Sequence, residues 1–170
     1  MRPPPTDPDA WNAHLAEGNA TQARKRVAAD ALIRDAAGHV LLVNPTYKAG
    51  WDLPGGMSEA NEPPHQTVVR ELAEELGLTI HLQGLLVVDW VPPHGPWDDE
   101  LAFIFDGGTL DHVHAGMLRP RDGEVSEAAF VPAHRASTLL RPRLRRRLDA
   151  AIHALADARP RYLQDGLANR

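Results

Sequence analysis

Cysteine is absent from the 170 residues, which removes disulfides, thiolate zinc sites, iron–sulfur clusters and cysteine nucleophiles together. A basic excess is missing as well. The 18 Lys and Arg stand against 23 Asp and Glu, and the net charge of −5 is the wrong sign for a domain that must displace counterions from nucleic-acid phosphates. No stretch of about 18 apolar residues runs uncharged, so no membrane-spanning helix is expected. Residues 1–10 are rich in Pro and lack the basic start and apolar run of a secretion signal, and they read as a loose tail. The expected location is the cytoplasm.

What the chain does have is an ordinary globular balance, 43% hydrophobic and 24% charged residues, at a length that suits one core. Residues 11–26 are Ala-rich and read as an N-terminal helix. The apolar runs 27–34 and 40–43 flank Asp35-Ala36-Ala37-Gly38, a turn-forming stretch, and predict a hairpin. Residues 44–56 carry Pro45, Gly50, Pro54, Gly55 and Gly56, the composition of an ordered loop or short strand. A helix is predicted over 63–76, with prolines in its first turn and Gly77 at its stop.

Strands are expected over 80–91, 101–105 and 130–132, with long loops at 92–99 and 116–124. Leu144, Leu148, Ile152 and Leu155 lay an apolar stripe along a final helix at 141–158. This alternation predicts an α/β fold, a mixed sheet sandwiched between helices. One core is expected over 27–160, followed by a tail at 161–170.

The helix at 63–76 has two faces. Val68, Leu72 and Leu76 fall four apart and form a packing stripe. Glu71, Glu74 and Glu75 bring three carboxylates together at i, i+3 and i+4, with the last two near the negative end of the helix dipole. Three like charges there oppose folding, whereas a hard divalent cation with oxygen ligands would reconcile them. Arg70, four residues before Glu74, can hold one of these carboxylates in place. Glu62 can reach the same arginine or the metal cluster from the preceding loop.

Gly56 through Glu62, followed by Arg70-Glu71-Leu72-Ala73-Glu74-Glu75-Leu76-Gly77-Leu78, resembles the Nudix box at every fixed position. The box itself covers 23 residues, and its surroundings extend the resemblance over 27–158. Asn61 stands where Gly is common, and Pro63-Pro64 stiffens the helix entry. The resemblance implies a Nudix fold and a hydrolase that cleaves the pyrophosphate linkage of a nucleoside diphosphate derivative with Mg²⁺ or Mn²⁺. ADP-ribose or nucleotide-sugar substrates rank level with nucleoside triphosphates.

By resemblance, the metal ligands are Glu71, Glu74, Glu75 and the Gly56 carbonyl; Arg70 orients them, and Glu59 and Glu62 are supporting acids. A carboxylate must also take the proton of the attacking water. Glu74, Glu75 and the loop residue Glu124 are the candidates, with Glu127 and Glu100 competing with Glu124. Trp51, Trp90, Pro93 and Asp99 are candidate substrate contacts, offering aromatic faces and polar groups. The implied partner is a small-molecule diphosphate, with no specific nucleic acid and no membrane; a homodimer is compatible.

Two other classes stay open at this point. Hydrolysis of a non-nucleotide diphosphate, such as a prenyl diphosphate, would use the same box. A non-catalytic module that senses a nucleotide is the other, although such modules usually lose box glutamates. His112 and His114 would share a strand face but lack a third zinc ligand. The arginines of 141–147 read as the solvated face of an amphipathic helix rather than as an RNA site.

Overall fold

The computed structural model of the chain describes residues 6–168. Helix α1 (Pro8–Thr21) begins three residues earlier than expected, because the Asp7 side chain accepts from the Ala10 N–H and Pro8 is suited to a first turn. None of its residues is buried. The expected tail at 1–10 is therefore partly helical, and residues 1–5 lie outside the described part.

Strands β1 (Arg26–Asp35) and β2 (Val40–Pro45) form the expected hairpin, and β3 (Gly55–Met57) follows. After helix α2 (Pro64–Leu76) come β4 (Gly84–Val91), β5 (Glu100–Leu110), helix α3 (His112–Met117) and β6 (Val125–Val131). Helices α4 (Ala133–Leu139) and α5 (Pro142–Asp157) precede β7 (Arg161–Gln164) and β8 (Leu167–Ala168). The mixed sheet runs β6-β2-β1-β5-β4-β7-β8, and β3 pairs with β1 off that path.

Alternation along the strands divides the core into two layers. Val40 and Leu42 of β2, Leu32 of β1 and Ile104 of β5 pack against α5 through Leu144, Leu148, Ala151 and Ala154. Leu41, Val43, Ala29, Ala31 and Ile33 point the other way, onto Val68, Leu72 and Leu76 of α2. The sheet is thus sandwiched between helices, as expected. Among the described residues, no helix is long and apolar enough to cross a membrane.

Three expectations need correction. Residues 80–83 are not strand, and β4 starts only at Gly84. His112 and His114 lie on helix α3, not a strand; residues two apart on a helix face different ways, and both are exposed. Residues 161–164 are not a tail: β7 pairs in parallel with β4, registering Val87 with Arg161 and Trp90 with Gln164. The turn into β8 uses Asp165 at φ 55° and Gly166 at φ 75°, the left-handed pair a two-residue hairpin requires.

One gap in the sheet positions everything that follows. β1 and β2 register only at Arg34 with Val40, after which β3 replaces β2 beside Ala28–Asp30 of β1. The segment between them is held by an Asp52 bridge to Val43 and by the Ala31 N–H donating to the Pro54 carbonyl. A cavity opens where the strands part, reachable from both helical layers.

Leu163 of β7 is 2% exposed and packs in the α5 layer. Leu163→Ala should lower unfolding free energy by about 2–5 kcal/mol in a denaturant titration. A loss below about 0.5 kcal/mol, the scale of an ordinary surface change, would mean that the C-terminal strand is peripheral.

Candidate active site

The loop before α2 is tied to the helix chiefly by Arg70, and Ser58 also meets Thr67 hydroxyl to hydroxyl at 2.7 Å. Arg70 donates from Nε to Glu62 Oε1 (2.9 Å) and from Nη2 to Glu62 Oε2 (3.0 Å) and the Met57 carbonyl (3.1 Å). Its Nη1 donates to Glu71 Oε1 (2.9 Å) and Glu74 Oε2 (3.0 Å). Glu62 thereby goes to the arginine rather than to the other glutamates. It also accepts from the Glu59 N–H and the Thr67 hydroxyl. Asn61 takes φ 62°, a left-handed turn conformation that Asn tolerates, which explains how it fills a position where Gly is common. Pro64 opens the helix, where its missing N–H costs nothing. Glu59 is exposed on the outer side of this loop.

The three helix carboxylates have different surroundings. Glu74 is 56% exposed and turned to Arg70. Glu71 is partly buried, and burial pushes its carboxyl up against the pull of Arg70. Glu75 is 6% exposed, and its Oε2 has no hydrogen-bond partner. Burial, reinforced by Glu71, Asp122, Asp30 and Glu124, pushes Glu75 up to about 8. A buried, unpartnered carboxyl is costly, and packing does not call for it.

Gly56 lies directly against Glu71; a Cβ there would sit 2.6 Å from the Glu71 carboxyl carbon. Gly55, at φ 144°, allows the same close approach to Asp30. Gly77 closes the helix at φ 62°, with the Arg121 guanidinium packed where a side chain would be. Among the described residues, no three acidic or imidazole groups are already gathered as a metal cage. Glu74 is the side chain turned away, held on the arginine.

The cavity at the parted strands has a volume of about 650 Å³. Gly56, Glu71 and Glu75 form one side, and Glu124 joins them from the loop just before β6. Glu100 also lines the cavity but pairs with Arg26 at 2.9 Å, whereas Glu127 does not line it. Toward α5 the wall carries Asp30, Lys48, Asp52, Arg141, Arg143 and Arg147. Lys48 and Arg141 both pair with Asp52. Trp97, 55% exposed with the Arg26 guanidinium 4.7 Å from its ring centroid, stands at the mouth near His94.

The sequence did not point to Asp30 or Arg147. Asp30 is partly buried on β1, and burial, opposed by Arg147 and reinforced by Asp52, pushes its carboxyl up to about 7. Its signal was an acid in the middle of an apolar strand, on the same face as Leu32. Conversely, Trp51, Trp90, Pro93 and Asp99 do not line the cavity. Trp51 packs on the core, and the Trp90 Nε1–H donates to Asp99, which also pairs with Lys25. Pro93 is exposed in the loop whose His94 and Trp97 do reach the cavity.

The Arg70 guanidinium, with the Glu59 N–H and the Thr67 hydroxyl, holds the Glu62 carboxyl down at about 2. A folded value below the ordinary 4.5 means stabilisation that is complete above 4.5 and lost as pH falls toward 2. Glu62→Gln should therefore be less stable than wild type at pH 7 in denaturant titrations, with the gap closing between pH 4.5 and 2. A gap that persists unchanged to pH 2 contradicts this network. Gly56→Ala, which displaces Glu71, should cut turnover by about 10²-fold; an unchanged rate would show that Glu71 need not lie against Gly56.

Comparison with known proteins agrees with this geometry. A family model described as the NUDIX domain matches residues 24–155. The chain is 35% identical over 107 residues to the ADP-ribose pyrophosphatase of Methanocaldococcus jannaschii, covering 61% of this chain and 60% of that protein. It thus spans less than two thirds of that relative's length. The fold resembles the MutT protein from Methanosarcina mazei Go1, with a TM-score of 0.62 at 22% identity over 81% of this chain and 99% of that one. It also resembles a UDP-X diphosphatase, with a TM-score of 0.67 at 18% identity over 92% and 75%. The box that links the loop to α2, the sandwiched mixed sheet and the match over most of the chain agree: the protein belongs to the Nudix hydrolase family.

Proposed function

We propose that the chain is a divalent-metal-dependent pyrophosphohydrolase that cleaves the diphosphate linkage of a nucleoside diphosphate joined to a sugar. One observation carries this reading: Glu75 keeps a buried oxygen without a partner, beside Glu71 and Glu124, on the wall of a cavity large enough for such a molecule. The name of the 35% identical relative, ADP-ribose pyrophosphatase, supports the substrate class.

The residues present fit Mg²⁺ or Mn²⁺. The donors are all oxygens, as hard cations require, and the orphaned Glu75 oxygen and the Glu71 carboxylate need positive charge. Glu71, Glu75 and the Gly56 carbonyl would hold the ion, joined by Glu74 once it leaves Arg70. When bound, it would neutralise phosphate charge and acidify a water.

The chain's own groups do the rest. Arg70 fixes Glu71 through Nη1 and, through the Met57 carbonyl, the loop that carries Gly56. Glu124, exposed at the cavity edge, is the candidate to accept the proton of the attacking water. Glu74 and Glu75 are the alternatives, but both are assigned to the ion. Arg26 occupies Glu100, which removes it from that competition. The presence of all three box carboxylates favours turnover over sensing alone.

A Mg²⁺-dependent screen of ADP-ribose, nucleotide sugars, nucleoside triphosphates, dinucleoside polyphosphates and prenyl diphosphates tests the assignment. The highest kcat/KM should fall on a sugar-linked nucleoside diphosphate, and Glu75→Gln should lose about 10²-fold or more. Unchanged turnover in that variant, or silence across the panel, would sink it.

A further inference from the structure

We propose that Asp30 and Arg147 form a recognition pair for the hydroxyl groups of a sugar attached to the diphosphate; this rests on the function proposed above. Both line the cavity, on the side away from α2. Asp30 projects from β1 on the face it shares with Leu32, toward the α5 layer. Arg147 reaches the cavity from α5 itself and is 8% exposed.

The position of Arg147 is built at some cost. Its Nε donates to Asp89 Oδ2 at 2.6 Å, and Asp89 is fully buried. The second Asp89 oxygen accepts from the Gly166 N–H at 2.9 Å, so this carboxylate is fully committed. Gly166 belongs to the C-terminal hairpin, beyond the residues 24–155 that the family model matches. The same turn supplies Asp165 Oδ1 to Arg143 (2.6 Å) and the Asp165 carbonyl to Arg146 (2.7 Å). A buried ion pair is seldom more stable than well-packed apolar side chains, so stability alone does not account for placing an arginine here.

Its remaining donors are unspent. Among the described residues, no group accepts from either Nη of Arg147, and no donor reaches the Asp30 carboxylate. The two side chains are not paired with each other, although the Arg147 charge acts on Asp30. The cavity therefore offers, on adjacent walls, a fork of donors and a pair of acceptors. A hydroxyl suits both, because it can donate to a carboxylate while accepting from a guanidinium. A phosphate would accept from Arg147 but be repelled by an ionised Asp30. A nucleobase would call for an aromatic surface, and the rings of the lining, Tyr47, His94 and Trp97, are all exposed, whereas its buried apolar part is Val43, Leu53 and Leu144.

The test is calorimetric titration of the full chain, in Mg²⁺, with ribose 5-phosphate and with inorganic phosphate. Wild type should bind the sugar phosphate about tenfold or more tightly than phosphate, the scale of a charge-assisted hydrogen bond. Arg147→Lys keeps a cation beside Asp89 but loses the fork, and Asp30→Asn keeps the shape; each should bring the ratio close to one. Melting curves of both variants report folding, so one remains informative if the other is damaged. Equal binding of the two ligands by wild type, or a ratio retained in a folded variant, overturns the pair. A wild type that cleaves no sugar-linked diphosphate yet shows the ratio, lost in both variants, would defeat the proposed reaction and still support the pair. Cleavage with a ratio untouched by either substitution would do the reverse.

Discussion

The guanidinium of Arg70 holds the site together. Five hydrogen bonds from one side chain reach Glu62, Glu71, Glu74 and the Met57 carbonyl. A planar fork can serve acceptors in several directions at once, which a lysine ammonium on a flexible stem cannot do with the same fixed geometry. Without it, the loop carrying Gly56 would be left with only the Thr67 hydroxyl contacts to α2, and Glu71 and Glu74 would face each other without a countercharge. Glu75 alone is left out of this arrangement. The same helix thus holds two carboxylates that share one guanidinium and one, buried, that has no countercharge.

The second constraint is the parting of β1 and β2. A continuous sheet would separate the α2 layer from the α5 layer, and the acids of one could never share a cavity with the arginines of the other. Because the strands register only at Arg34 with Val40, β3 enters beside β1, and Glu71, Asp30 and Arg147 come to line one space. The reaction chemistry and the selection of the attached group can then be divided between the two layers. This division suits a family whose members share a box and differ in what they cleave.

The sequence made the α2 site legible because local spacing encodes it. Val68, Leu72 and Leu76 were readable as a buried stripe and Glu71, Glu74 and Glu75 as a polar cluster from helical periodicity alone, and burial confirms the stripe. Glu124 could be named from its neighbourhood in the loop, and it does reach the cavity. The α5 wall was not legible, because Asp30 and Arg147 are 117 positions apart and only the packing of α5 on the sheet brings them to one space. Trp90 and Asp99 misled for a related reason: an aromatic and an acid near the box satisfy each other, at 2.8 Å, instead of a ligand. Asp165-Gly166 was a readable hairpin signal, hidden by the shortness of the strands it joins.

Under the proposed function, the Glu75 carboxyl is kept buried for a cation rather than for the fold. Thermal melts of wild type and Glu75→Gln at neutral pH, each with and without Mg²⁺, test it most directly. Without metal, the variant should melt at or above the wild-type Tm, because an unpartnered buried acid has been removed. Mg²⁺ should raise the wild-type Tm by binding the folded state and leave the variant nearly unmoved. A variant that melts well below wild type without metal, yet keeps the full Mg²⁺ shift, would contradict the account.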